Sequence, residues 1–177
     1  MHSLRGDLAG AARAALLLMV LAAVAAAGWL LATKATTPAV SQPIAFNHQK
    51  HLTLGLTCDT CHQYYERYAV AGLPKTEVCM TCHLAPLTDS PEEQKVRIYG
   101  ERDEEIPWVK VHKIPDHSFF SHRRHVTLGK LECTACHGDM TQRTTPVIRP
   151  AVNLSMDWCV GCHEQRQVTT DCNACHK

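Results

Sequence analysis

Five stretches of this chain place two cysteines and a histidine at one fixed spacing: Cys58-Cys61-His62, Cys79-Cys82-His83, Cys133-Cys136-His137, Cys159-Cys162-His163 and Cys172-Cys175-His176. All ten cysteines of the 177-residue chain fall in these groups. Two thiols three residues apart can add to the two vinyl groups on one porphyrin edge, becoming thioethers, and the next residue then sends its imidazole to the iron. Disulfides and zinc knuckles also use C-x-x-C spacing. Neither demands a histidine directly after every second cysteine. The pattern predicts five covalent c-type haems, with His62, His83, His137, His163 and His176 as proximal ligands.

Seven histidines remain: His2, His48, His51, His112, His117, His122 and His125. His2 precedes a long apolar segment, so six candidates compete for five distal positions. His48/His51 and His122/His125 share an H-x-x-H spacing. On a helical turn, residues three apart lie on one face yet diverge enough to address two haems. His112 follows the alternating apolar run Trp108, Val109, Val111 and is expected to be the buried fifth ligand, whereas His117 follows Pro115-Asp116 and reads as a turn. Met80, Met140 and Met156 lie near haem motifs, but with a histidine for each iron they are expected to pack rather than ligate. Full bis-histidine coordination leaves no open iron, so electron transfer is expected and no catalytic site.

The elements that position these residues start with an internal repeat. FNHQKHLTLGLTCDTCH, Phe46 to His62, aligns with FSHRRHVTLGKLECTACH, Phe120 to His137, with one residue inserted in the second copy. A further motif follows each copy, at Cys79 and at Cys159. The reading is two dihaem modules, 44–87 and 117–163, joined by a connector 88–116 and followed by a fifth haem site at 164–177. About 130 residues serving five haems leave little protein core, so porphyrin faces must supply much of the buried surface. Little regular secondary structure is expected beyond short helices at the motifs.

Between the modules, TDSPEEQKVRIYGERDEEIP, Thr88 to Pro107, carries seven acidic and three basic residues. It reads as a solvated helix and loop, the alternative being a docking face for a basic partner. The polypeptide charge of +1 suggests no nucleic-acid partner. Five haems would add about ten propionates and make the assembled protein acidic.

Ahead of the domain, Ala14 to Ala32 reads AALLLMVLAAVAAAGWLLA without a charge. As a helix this stretch rises roughly 28 Å, close to the bilayer hydrocarbon thickness, so a transmembrane helix over 14–32 is expected. A cleaved signal peptide is disfavoured because the apolar run continues through Trp29, Leu30 and Leu31 past the small residues Ala25 to Ala27. Arg5 and Arg13 before it, against Lys34 after it, predict a cytoplasmic 1–13 and an extracytoplasmic remainder, with Trp29 near the outer interface. The polar 33–43 is then a linker to the domain 44–177. The expected location is the inner membrane, single-pass, with the haem domain on the periplasmic side.

The order F-x-H-x-x-H, GLPKTEVCMTCH, IPWVKVHKIPDHSFFSHRRH, ECTACHGDM and LSMDWCVGCH resembles the membrane-anchored pentahaem cytochrome c subunit of alternative complex III, a quinol:electron acceptor oxidoreductase, within the class III-like multihaem cytochromes. The resemblance implies iron-sulfur and integral membrane quinol-binding subunits as electron donors and a cytochrome c or terminal oxidase as acceptor. It also favours His112, which matches the family's V-H-x-[IL]-P-D string. A related haem subunit of quinone reductase complexes, usually with six motifs, is the alternative, with electrons running toward the quinone. A subunit serving a molybdopterin-type oxidoreductase, or a small multihaem enzyme with an open iron, are further alternatives.

Overall fold

The computed structural model describes residues 3–32 and 38–176, which divide into two compact units between Thr37 and Pro38. Helix α1 (Ser3–Ala32) makes up the first unit. Among the described residues, no helix is long and apolar enough to cross a membrane. The transmembrane helix expected over 14–32 is thereby corrected. The helix begins at Ser3 rather than Ala14. Expectations placed on His2, on the side chains of Arg5 and Trp29, and on 33–37 with Lys34 lie outside the described residues.

The second unit matches the expectation of short helices at the motifs and loops between them. Helix α2 (His48–Thr53) starts at an Asn47 cap, whose side-chain oxygen accepts from Lys50 N at 2.9 Å. Four-residue helices α3 (Cys58–Cys61), α6 (Thr134–His137) and α8 (Cys172–Cys175) mark three motifs. The other two ride on α4 (Thr76–Met80) and on α7 (Met156–Gln165), which Ser155 caps through Trp158 N. Helix α5 (Pro91–Glu101) fills the connector, opening with proline and two acidic residues in its first turn, as the helix dipole favours. Among the described residues there is no extended strand, only an antiparallel bridge between Ser118 and His176.

The inserted residue of the second repeat has a visible cost in regularity. In the first copy the chain leaves α2 through Gly55 at φ 85°. In the second, a π-type turn (Arg123–Leu128) takes its place, Gly129 N reaching back to Arg124 O at 2.9 Å, and the inserted Lys130 adopts the left-handed φ of 52°. The extra residue is thus absorbed after the histidines, whose spacing stays the same in both copies.

Protein core is scarce, as the haem density requires. Ile44, Val96 and Ile106 are the buried apolar residues among those described, with Met80, Tyr99 and Trp108 packed around them. Three such side chains at about 1.5–3 kcal/mol each cannot offset ordering costs of about 1–2 kcal/mol per residue over a whole domain. This small core sits where α4 meets α5. There Gly100 faces Met80 so closely that a methyl group would overlap its Sδ and lie 2.7 Å from its Cγ. Gly100→Ala should therefore destabilise the domain by about 1–2 kcal/mol despite its better helix propensity, seen as a lower thermal midpoint; an unchanged midpoint would mean that α4 and α5 are not tightly docked.

Candidate haem attachment sites

Each motif is shaped by one backbone bond. The N–H of the histidine donates to the carbonyl of the first cysteine at 2.8 Å in His62 and His176, 2.9 Å in His137 and 3.0 Å in His83. That single turn brings two thiols and an imidazole to the same side of the chain. His163 reaches the equivalent position inside α7.

The histidines come together in opposed pairs. His51 faces His83 with ring centres 6.2 Å apart, His125 faces His163 at 6.1 Å, His122 faces His137 at 6.3 Å and His117 faces His176 at 5.6 Å. Two metal–imidazole bonds of about 2 Å, with each ring centre about 1.2 Å beyond its nitrogen, put the centres of trans ligands about 6.4 Å apart. The His51–His83, His125–His163 and His122–His137 pairs fit a metal held between two imidazoles, and the His117–His176 rings lie about 0.8 Å closer than that. For His48 the neighbouring imidazoles are those of His62 and His51, after burial the main reasons its pKa is pushed down to about 4. Burial likewise lowers His137 to about 4, with His112, His122 and His62 adding to it. Neutral imidazole is the form that binds metal.

Second partners fix the ring orientations. Nδ1 lies against a backbone carbonyl in His51 (Asn47, 2.8 Å), His62 (Gly72, 2.9 Å), His122 (Ala69, 2.9 Å), His125 (Ser121, 2.8 Å) and His163 (Thr169, 2.6 Å). A proton on Nδ1 leaves Nε2 as the ligating atom. Gly72 is needed for this: its φ is 79° and a side chain there would collide with the Tyr64 ring, 2.6 Å from Cδ2. In both repeats a phenylalanine wedges the H-x-x-H pair, Phe46 stacking on His51 and meeting His48 edge-on, Phe120 doing the same to His125 and His122.

His112, expected as the fifth distal ligand, and His117, expected in a turn, each lie beside a different motif histidine. His117 stacks on His176 at an interplanar angle of 17°, beside the Ser118–His176 bridge and a 2.6 Å bond from Phe119 N to Cys175 O. His112 instead meets His137 edge-on at 4.4 Å, too close for an iron between them. Met80 packs on the small core, Met140 opens a 3-10 turn (Met140–Gln142), and Met156 is exposed at the start of α7.

One partner escaped the sequence reading. His83 presents Nδ1 to the buried carboxylate of Glu93, 3.4 Å away, rather than to a carbonyl. Glu93 also accepts from Leu87 N at 2.7 Å, Thr88 N at 2.8 Å and Arg97 at 2.7 Å. The i, i+4 spacing of Glu93 and Arg97 was the available signal; the acidic run around them hid it.

Neighbouring motifs lie within electrostatic reach of one another. Burial raises the Cys79 thiol to about 11, with Cys61 adding to it. Burial raises Cys133, with the neighbouring Cys58 adding to it. Cys136 is raised by burial and then by Cys162 and Cys159, and Cys159 by burial and then Cys175. The Cys79, Cys133, Cys136 and Cys159 thiols are thus in an environment that disfavours the free thiolate. Among the described residues, no three His, Cys, Asp or Glu side chains gather as a bare metal-ion cage. Exposed Leu54, Leu84, Leu87 and Leu128 flank the motifs and can line porphyrin faces.

Paired imidazoles beside C-x-x-C turns define a multihaem cytochrome. Residues 30–116 match the class III cytochrome c family, and residues 118–177 match cytochrome c7 and related cytochromes c. The chain is a multihaem electron-transfer cytochrome of this class III and c7 type, carrying covalently bound c-type haem. It is similar to the menaquinone reductase multihaem cytochrome c subunit of Nitratidesulfovibrio vulgaris, 36% identical over 112 residues, covering 62% of this chain and 52% of that one. The chain spans about half the length of this curated relative.

Glu93 gives a pH prediction. Hydrogen bonds from the Thr88 hydroxyl and Leu87 N hold its carboxyl down at about 2, against an ordinary 4.5. A depressed carboxyl stabilises fully above its ordinary pKa and ceases to as pH falls through the folded value. Glu93→Gln should be less stable than the parent at neutral pH, the gap closing between pH 4.5 and 2 in denaturant titrations; a gap constant over that window would show that ionised Glu93 is not what stabilises.

Proposed function

We propose that this chain is the haem subunit of a quinone-reducing membrane complex, carrying electrons through five c haems from a donor outside the cytoplasm to quinone-reducing partner subunits. Its likeness to a menaquinone reductase cytochrome subunit carries this reading. The likeness favours the quinone reductase alternative over the alternative complex III reading of the sequence. Five motifs rather than six, and the IPWVKVHKIPD string, still support quinol oxidation as the second reading. Attachment of c-type haem outside the cytoplasm supports the extracytoplasmic location.

When bound, haem supplies one-electron iron redox chemistry. The cysteines fix each porphyrin edge, and His62, His83, His137, His163 and His176 serve as proximal ligands. The distal set is His48, His51, His117, His122 and His125, with His117 in place of His112. Backbone carbonyls on Nδ1 hold five of these ten rings in the ligating tautomer. A histidine on both sides of every iron excludes substrate from it, which suits a conduit rather than a catalytic centre.

Replacing His117 with alanine should turn one of the five haems high spin in electronic and EPR spectra, while His112→Ala leaves all five low spin. The reverse result would return the fifth position to His112.

Complex identity is tested by gentle detergent extraction, identification of co-purifying subunits and a pyridine-haemochrome count. Five haems per chain and quinone reduction by the reduced complex are expected. Quinol oxidation coupled to cytochrome c reduction, with no quinone reduction, would reverse the direction, and fewer than five haems would break the ligand count.

A further inference from the structure

The two modules meet through their first motifs. His122 donates from its backbone N to Ala69 O at 2.9 Å and sets its Nδ1 against the same oxygen. Arg123 N reaches Tyr68 O at 3.2 Å, and the Thr127 hydroxyl donates to Glu66 O at 3.0 Å. The turn carrying the second H-x-x-H pair thus lies along the segment directly after His62. Reciprocally, α2, which carries the first pair, packs on the Met140–Gln142 turn just after His137, with Gln49 N bonded to Arg143 O at 3.0 Å. At the centre of this exchange the side chains of Cys58 and Cys133 are close enough to influence each other.

Other motif contacts are nearer in sequence. Phe46 touches both His48 and His51, so α2 spans the His62 and His83 sites, and Phe120 with His122 and His125 spans the His137 and His163 sites. Cys159 neighbours Cys175, and His163 is tied by its Nδ1 to Thr169, just ahead of the last motif. Each motif thereby has one or two neighbours. Chain order is not the spatial order.

We propose that the attachment sites form one unbranched series, His83, His62, His137, His163, His176, with the passage between modules made where Cys58 meets Cys133. It rests on the five-haem reading. The His62 site, first in sequence, is interior to the series. Its ends, the His83 and His176 sites, are where a one-electron donor and a one-electron acceptor must dock. A partner covering the His62 site would stand beside the middle of the series, not at its entrance.

Paramagnetic proton NMR of the oxidised holoprotein tests the order, because a low-spin ferric haem shifts the methyl resonances of its immediate neighbours. Removing the His83-site haem by Cys79→Ala with Cys82→Ala should move the methyl signals of one other haem. Removing the His62-site haem by Cys58→Ala with Cys61→Ala should move those of two. Sequence order predicts the opposite, and either reversed result overturns the series. If haem deletion prevents folding, His51→Met and His48→Met keep all five haems while raising one potential. Poised so that only the altered haem is reduced and diamagnetic, these variants should show the same one-versus-two pattern. A haemochrome count below five in the unsubstituted protein would sink the haem reading itself, whereas five haems with the wrong neighbours would sink only the series.

Discussion

Opposed imidazoles are the interaction on which the rest of this domain depends. The pairs tie residues between 15 and 59 positions apart, from His122 with His137 (137 less 122) to His117 with His176 (176 less 117). Other small domains close such loops with sheet ladders or a continuous core. Here, among the described residues, there is neither an extended strand nor a core beyond Ile44, Val96 and Ile106. Closing a long loop costs little more entropy than closing a short one, so a few strong cross-ties can order a chain of this length. Haem binding and folding would then be coupled, as metal binding and folding are in other small domains.

Duplication explains why the ties are so evenly made. Both repeats place a phenylalanine between two histidines in the same geometry, stacked on one ring and edge-on to the other. That wedge turns the two imidazoles toward different motifs, so six residues of chain serve two sites. The residue inserted in the second copy falls after this unit and widens the turn into a π-type one. An insertion between the histidines would have rotated one ring off its partner.

The motifs were legible because covalent chemistry fixes their spacing, and the H-x-x-H pairs because helical geometry does. The ring partners of His112 and His117 were not. Alternation in Trp108, Val109, Val111 suggested burial of His112, and His112 is indeed half-buried, but local alternation does not say which imidazole a histidine faces. What brings His117 to His176 is the Ser118–His176 bridge between chain segments remote in sequence, which no local pattern reports. Glu93 was obscured in the same way, read as one charge of a solvated run although its carboxylate is buried against His83. Hydropathy misled at the other end, where the apolar run at 14–32 suggested a membrane span that the described part of α1 does not supply.

Glu93 also separates the His83 site from the His62 and His163 sites in electrostatic terms. A carbonyl on Nδ1 orients an imidazole, whereas an ionised carboxylate also adds electron density to the ring and stabilises the more positive metal state. His62 and His163 have carbonyl partners, and His83 faces the carboxylate that Thr88, Leu87 and Arg97 keep ionised. An iron held by His83 would accordingly be biased toward the ferric form relative to irons held by His62 and His163. In the proposed series that site is an end. A low-potential terminus suits the exchange of electrons with a strongly reducing partner, and the bias comes from one connector helix, α5, whose first turn carries the residue responsible.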